Sequence, residues 1–548
     1  MSAEARVGGS ASLVGLSDLS ATARWVLVVG LAAFVVVASL VIVLTDGNFA
    51  IAVAPPFLVG GAYLLLRLPA GVLAPMAVLA CLLFDNPTEG PGMGLFKTPL
   101  LIPGNFLYLA LEKTTGIPGL KLFGIELVFI GLIVLRVLTR DRPEERHLPK
   151  TPRPFVLACL TTIGTLLFLE VYGVARGGDT RMSMLMFRPL LLVGIIALVY
   201  STCARTTRQV YVLLGGIVVV AAIRAAFGIW AWATVLQFGI RGAGTTDLGG
   251  GAYVMTHSDA IMGAVAVSLL VVWVVMRPTF SSILSLATFG NVILFGMVIN
   301  NRRITFVSLV AGLGILWFVG DPTFRRRVTR MFRLALPFLL LYLVVGWRVD
   351  TAVTRPVQML KSVFEQKDAS SQTRDIENFN LLFTTKNSPI LGTGLGHEYI
   401  EQVVAYDISE VFEAYRFVPH NSVLWLFMVG GFVGYTGFFM MMFVGLYYAM
   451  RLLRRSPPLV EKLLAMSSVA TIIAYGMQGW GDMGLGSYMG CLLLSAHMGL
   501  TASIAALRGA DGPDPEPTAP VDSSSTRALT RTFAPDVTIE STDERVFT

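Results

Sequence analysis

Charge is scarce in this chain. Asp, Glu, Lys and Arg make up only 14% of its 548 residues, whereas hydrophobic residues make up 54%. A soluble globular domain typically carries about 25% charged residues, so that class is excluded. Cysteine is nearly absent too. Cys81, Cys159, Cys203 and Cys491 fall in or beside apolar runs without paired spacing, which gives neither a disulfide framework nor a metal or redox motif. No cleavable leader is expected, because residues 1–24 are polar and small and the first apolar run, Trp25 to Thr45, is long enough to span and stay. No internal repeat of the kind that builds many transporters is evident.

What is present is apolar length. Runs near 20 residues, the bilayer criterion, number about fourteen. They begin near Trp25, Phe49, Ala70, Leu120, Pro154, Met184, Gln209, Ser258, Ser281, Ile304, Leu334, Asn421, Leu459 and Leu485. The fold class expected is an all-α polytopic integral membrane protein. It divides into a cytoplasmic segment 1–24, eleven spans over 25–347, a large external loop 348–420, three spans over 421–507 and a tail 508–548. The net charge of +7 records topology rather than a nucleic-acid partner. With the N-terminus inside, every inner connection is basic, from Arg67 through TRDRPEERHLPKTPR, CARTTR, Arg277 and FRRRVTRMFR to RLLRRSPPLVEK. Roughly 22 Lys and Arg fall inside against roughly 9 outside, which sets the orientation.

The stretch VPHNSVLWLFMVGGFVG, Val418 to Gly434, then faces outward. Proline disfavours helix in the residue before it and fits a first turn itself, so His420 and Asn421 sit at a helix mouth. There the unpaired N–H groups and the dipole favour an anion and disfavour protonation of the imidazole, leaving a histidine able to act as a base. Gly430 and Gly434 share a face where another helix approaches closely. Arg176, Arg181, Arg188, Arg241, Arg302 and Arg303 break the charge rule on this outer side. Guanidinium forks pair with phosphate and carboxylate, so the set points to an anionic ligand. Arg224, inside a span, reads as a buried structural partner.

Within 348–420, an amphipathic helix is expected near Asp375 to Thr385, followed by a glycine turn at Gly392, Gly394 and Gly396. These glycines follow a helix rather than a strand, which argues against a nucleotide loop and for a tight loop approaching the membrane. HEYIE at His397 to Glu401 reads as a surface turn, since one histidine without partners makes a poor metal site. His257 and Asp259, in the glycine-rich Arg241 to Asp259 loop, precede a span much as His420 does, yet neighbours in sequence do not make a triad. The tail from Gly509, rich in Pro, Ser, Thr and Asp, is expected to be disordered and cytoplasmic.

Taken together, NSPILGTGLGHEY followed by VPHNSVLWLFMVGGFVG resembles the O-antigen ligase and O-antigen polymerase superfamily of bacterial envelope polysaccharide enzymes. Arg374 in TRDIENFNLL, the pair Arg302 and Arg303, and GGDTRMSMLMFRPLLL ending at Arg188 are similar to family positions, and the resemblance runs from Tyr172 to Gly437. NNRR stands where the family often has Ser-Arg-Gly, so either Arg302 or Arg303 is the equivalent residue. The resemblance implies a metal-independent, cofactor-free glycosyltransferase in the bacterial inner membrane, its site facing the periplasm. Its donor would be an undecaprenyl-diphosphate-linked oligosaccharide, and its partners a glycan acceptor, membrane lipids and other polysaccharide-assembly proteins, with no nucleic acid. His420 would be catalytic. Arg188, Arg302, Arg303 and Arg374 would bind the donor diphosphate, with Asn421, Gly392, Gly394 and Gly396 in support. A polymerase is slightly preferred, a ligase is the alternative, and a transporter or flippase is the competing class.

Overall fold

The structure, a computed structural model, describes residues 70–87, 99–116, 119–139, 150–203, 206–236, 255–300, 302–349, 351, 353–364, 369–404, 407 and 412–510. The expected spans near Trp25 and Phe49, the 1–24 segment, Arg241 with most of its glycine-rich loop, and the tail after residue 510 lie outside them.

The described chain is helical and has no named strand. Its helices in order are α1 Ala70–Leu83, α2 Leu101–Tyr108, α3 Leu111–Thr115, α4 Gly124–Thr139, α5 Arg153–Ala175, α6 Thr180–Cys203, α7 Thr207–Ala231 and α8 His257–Met276. There follow α9 Phe280–Ile299, α10 Arg303–Val319, α11 Pro322–Arg348, α12 Arg355–Phe364, α13 Ala369–Asn387, α14 Ser422–Arg454, α15 Leu459–Gly481 and α16 Tyr488–Leu507. Among the described residues nine of these, α5 to α9, α11 and α14 to α16, are long and apolar enough to cross a membrane. The helix at the expected Leu334 span begins earlier, at Pro322, because Asp321 caps it by accepting from Phe324 N–H and proline fits its first turn. The whole of the arginine-rich FRRRVTRMFR stretch, Phe324 to Arg333, therefore lies in the first half of α11 rather than in a connection.

The bundle is built around α16, which packs on α6, α14 and α15. Small and hydroxylated residues permit this. A Cβ on Gly499 would stand 2.6 Å from the Ala197 carbonyl oxygen, so only glycine lets α16 and α6 meet there. Ser467 Oγ and His497 Nε2 share a hydrogen bond of 2.9 Å, and Ser468 and Thr501 one of 2.6 Å, satisfying polar groups where no water is at hand. Arg224 is the structural partner its position implied. It binds both Asp259 oxygens, one at 3.1 Å, and reaches Asp85 at 2.8 Å and the Leu83 carbonyl at 3.0 Å. Breaking such a buried pair by removing one side costs about 3–5 kcal/mol.

Length arithmetic exposes a break in α14. Its 33 residues would rise about 50 Å, whereas the 23 residues of α15 rise about 35 Å. Yet the two helices share both ends: Arg454 and Leu459 are joined by a short turn, and Ser422 Oγ donates to the carbonyls of Gly479 at 2.9 Å and Asp482 at 3.1 Å. The excess is taken up at Gly431, whose φ of 54° and ψ of −158° interrupt the helix. Into this break fits the segment 389–396. Thr393 and Gly394 donate N–H groups to Met428 and Val429 at 3.0 and 2.9 Å, while Phe432 and Val433 donate to Pro389 and Ile390 at 2.8 and 3.0 Å. Backbone groups freed by the break thus find partners without water. Gly392, Gly394 and Gly396 all have positive φ, 70°, 88° and 81°, and each lies against foreign backbone, so the expected tight loop is present and glycine is required in it. Below the break, Gly434 and Gly437 admit Leu169 and Thr165 of α5, while Gly430 just above it also meets Leu169, the close approach that the glycine spacing anticipated.

Candidate active site

Helix α13, the start of α10 and the end of α15 meet where α14 begins. Asn421 is its N-cap, with the side-chain Oδ1 accepting from Leu424 N–H at 3.0 Å. His420 stands just outside. Facing it is α13, the amphipathic helix anticipated near Asp375, whose Glu377, Leu381 and Thr384 share one buried face at helical spacing. Glu377 is only 2% exposed and turns its carboxylate onto His420: Nδ1 lies 2.9 Å from Oε2 and 3.1 Å from Oε1, and the His420 backbone N–H donates to Oε2 at 3.3 Å.

This pairing reverses one expectation. A helix mouth alone disfavours an imidazolium, and burial lowers the pKa further, but the hydrogen bond and charge of Glu377, with Asp482 adding to them and Arg374 opposing, raise it above its ordinary value. A carboxylate on Nδ1 also fixes the tautomer, leaving Nε2 as the atom that accepts a proton. Neither Glu377 nor Asp482 was singled out from sequence. Glu377 lies one turn after Arg374 on the same helix face, a spacing that would have flagged it. Asp482 ends α15 with nothing local to mark it.

Arg302 joins the group through Asp482. The two side chains, 9% and 6% exposed, approach to 3.7 Å, and the Asp482 carbonyl is tied to Ser422 of α14. Arg303, the first residue of α10, is more exposed than Arg302, so of the two it is Arg302 that the Asp482 pairing draws into the site. Beside His420 two buried donors, Arg374 Nε and Asn421 Nδ2, have no acceptor among the described residues. Unsatisfied buried donors cost about 1–3 kcal/mol each unless a ligand or water meets them.

Other predicted outer arginines are engaged elsewhere. Arg188 stacks on Phe123 at 4.5 Å, donates to the Lys121 carbonyl at 3.1 Å and nears Glu126 at 3.8 Å, contacts that do not include the His420 group. Arg181 forks onto Glu413 at 2.9 and 3.1 Å. Arg176 holds the inserted loop through the Gly392 carbonyl at 3.3 Å. His397 meets the Gly173 carbonyl at 3.2 Å, and its neighbours Glu398 and Glu401 go to Arg416, which agrees with a structural turn.

Fold and site together define a multi-pass helical membrane protein with a carboxylate-oriented histidine and buried arginine at one end of the bundle. The family model described as O-antigen ligase matches residues 291–439, which supports the resemblance to the O-antigen ligase and polymerase superfamily. That segment holds Arg302, Arg303, Arg374, Glu377, the glycine loop and His420, and leaves out Arg188 and Asp482. No curated protein matches the chain. The match supports an enzyme of the polysaccharide ligase or polymerase type.

Proposed function

We propose that this protein transfers a glycan from a polyprenyl-diphosphate donor to a hydroxyl acceptor at the His420 end of the bundle. The observation that carries the reading is the Glu377–His420 pair standing at a helix mouth beside Arg302 and Arg374. The acceptor O–H proton passes to His420 Nε2 as the oxygen bonds to the anomeric carbon. The bond from that carbon to the diphosphate oxygen breaks, and the departing lipid diphosphate keeps the electron pair. Arg302 and Arg374, with the N–H groups of the α14 mouth, stabilise that charge. Glu377 steadies the imidazolium until the proton leaves for water. The donor is activated by its own diphosphate, so no nucleotide enters the step.

Within this class we favour polymerisation, with a second lipid-linked repeat as acceptor, because NNRR departs from the Ser-Arg-Gly often found in ligases; attachment to lipid A-core is the alternative. The site faces the periplasm on the charge asymmetry of the connections. The test pairs donor binding to purified protein with transfer in reconstituted membranes for His420→Gln. Glutamine keeps size and hydrogen bonding but accepts no proton, so binding persists while transfer falls by about 10²–10⁴. Transfer at the wild-type rate would falsify the base assignment. Glycans from a deletion strain separate the two acceptors: single repeats remain if a polymerase is lost, and intact polymer stays on its carrier if a ligase is lost.

A further inference from the structure

The end of the bundle away from His420 carries a second basic site that the glycan reaction does not use. Arg302 and Arg303 open α10 at the His420 end, and 17 residues later the chain emerges at the other end, where α11 begins. There Trp317, Pro322, Arg325, Arg326, Thr329, Arg330 and Arg333 line a groove of about 580 Å³. The indole N–H of Trp317 donates to Thr329 at 3.0 Å and fixes one wall. Arg327, on another face, caps α8 by donating to the Val275 and Met276 carbonyls at 2.9 Å, which anchors α11 in place. The nearby carboxylate, Asp321, is taken by Lys462 and the Phe324 N–H. Among the described residues no ion pair engages Arg325, Arg326, Arg330 or Arg333.

Four guanidiniums around one groove repel each other unless an anion sits between them. Arg326, Arg330 and Arg333 recur at four and three residues, so they stand on one helix face and present converging forks. Along the same helix the surface turns apolar: Leu334, Phe338 and Leu341 are 68%, 75% and 62% exposed, and none of the apolar window of α11 is buried in the bundle. A cationic pocket that runs into a bare hydrocarbon-facing helix matches one ligand chemistry, a phosphate headgroup carrying acyl chains. We infer that this groove binds an anionic phospholipid of the adjoining leaflet, with the two-phosphate headgroup of cardiolipin fitting four arginines best. Soluble anions and acidic proteins supply the charge but leave the apolar strip bare.

The test uses the full chain, purified, delipidated and titrated with cardiolipin, phosphatidylglycerol or phosphatidylethanolamine in detergent, with binding read by native mass spectrometry. Cardiolipin should bind tightest and the zwitterionic lipid at least tenfold weaker. Near a surface each arginine contributes about fivefold, so the triple variant Arg326→Gln, Arg330→Gln, Arg333→Gln should lose roughly a hundredfold. Arg451→Gln with Arg454→Gln, at the same end but off the groove, should bind as wild type. Equal affinity for all three lipids, or a triple variant within twofold of wild type, overturns the inference. Inorganic pyrophosphate binding as tightly as cardiolipin would make the site a soluble-anion site and overturn it equally. Should the triple variant not fold, a photoreactive cardiolipin analogue on the wild-type protein decides: label within residues 314–341 supports the site, and label elsewhere refutes it.

Discussion

The Glu377 carboxylate and the His420 ring are linked at 2.9 Å across 43 residues of sequence, one from a helix of the segment between spans and the other from the mouth of a membrane helix. That contact joins the segment between spans to the bundle chemically as well as mechanically. It has a direct kinetic consequence.

Because His420 titrates above its ordinary value of about 6.5, free base is lost as pH falls through that raised pKa, and transfer should show an acid limb above about 6.5. Glu377→Gln removes the charge that raises it. The limb should then move to lower pH while the plateau falls about 10²-fold or more. The pH profile of transfer in reconstituted membranes checks this, and an unmoved limb would detach Glu377 from the base.

Arg302 and Arg303 should separate. Arg302→Ala removes the guanidinium paired with Asp482 and should cut transfer by about 10²–10³, with Arg302→Lys restoring only part because a point charge replaces a fork. Arg303→Ala should do far less. Equal losses in both, at equal protein level, would count against the geometric distinction.

Gly431→Ala tests the helix break. Its φ of 54° strains any L side chain, and a Cβ there falls on the Ile390 carbonyl, so stability should drop by about 1–3 kcal/mol. Thermal unfolding in detergent reads the loss, and Gly434→Ala, which meets only the movable Leu169 side chain, should be milder.

Asn421→Ala removes a helix cap and should cost about 1 kcal/mol, again by thermal unfolding. Donor binding should weaken as well, since the buried Nδ2 donor disappears. Normal donor affinity in a destabilised variant would leave Asn421 as a cap alone.

Among the described residues nine spans were legible because hydrocarbon imposes a length, whereas the expected starts at Ala70, Leu120 and Ile304 fall on α1, α4 and α10, which are shorter than a crossing helix. α11 was misplaced because its first three turns are arginine-rich, and an amphipathic start reads as a connection. His420, Asn421 and the three loop glycines were legible since proline and glycine restrict backbone locally. Glu377 and Asp482 were not, because a buried carboxylate is defined by what folds against it. The outer arginines looked alike in sequence, and only packing divided Arg302 from Arg176, Arg181 and Arg188, which hold other parts of the protein.

The interruption at Gly431 also ties the α14 mouth to the inserted loop. The short piece Ser422 to Gly430 is held at both ends: Ser422 donates to the Gly479 and Asp482 carbonyls, and the Met428 and Val429 carbonyls accept from Thr393 and Gly394. His420 and Asn421 are thus carried on a clamped fragment rather than on the long helix below it. A change in the glycine loop that touches neither residue therefore still acts on the group that faces Glu377.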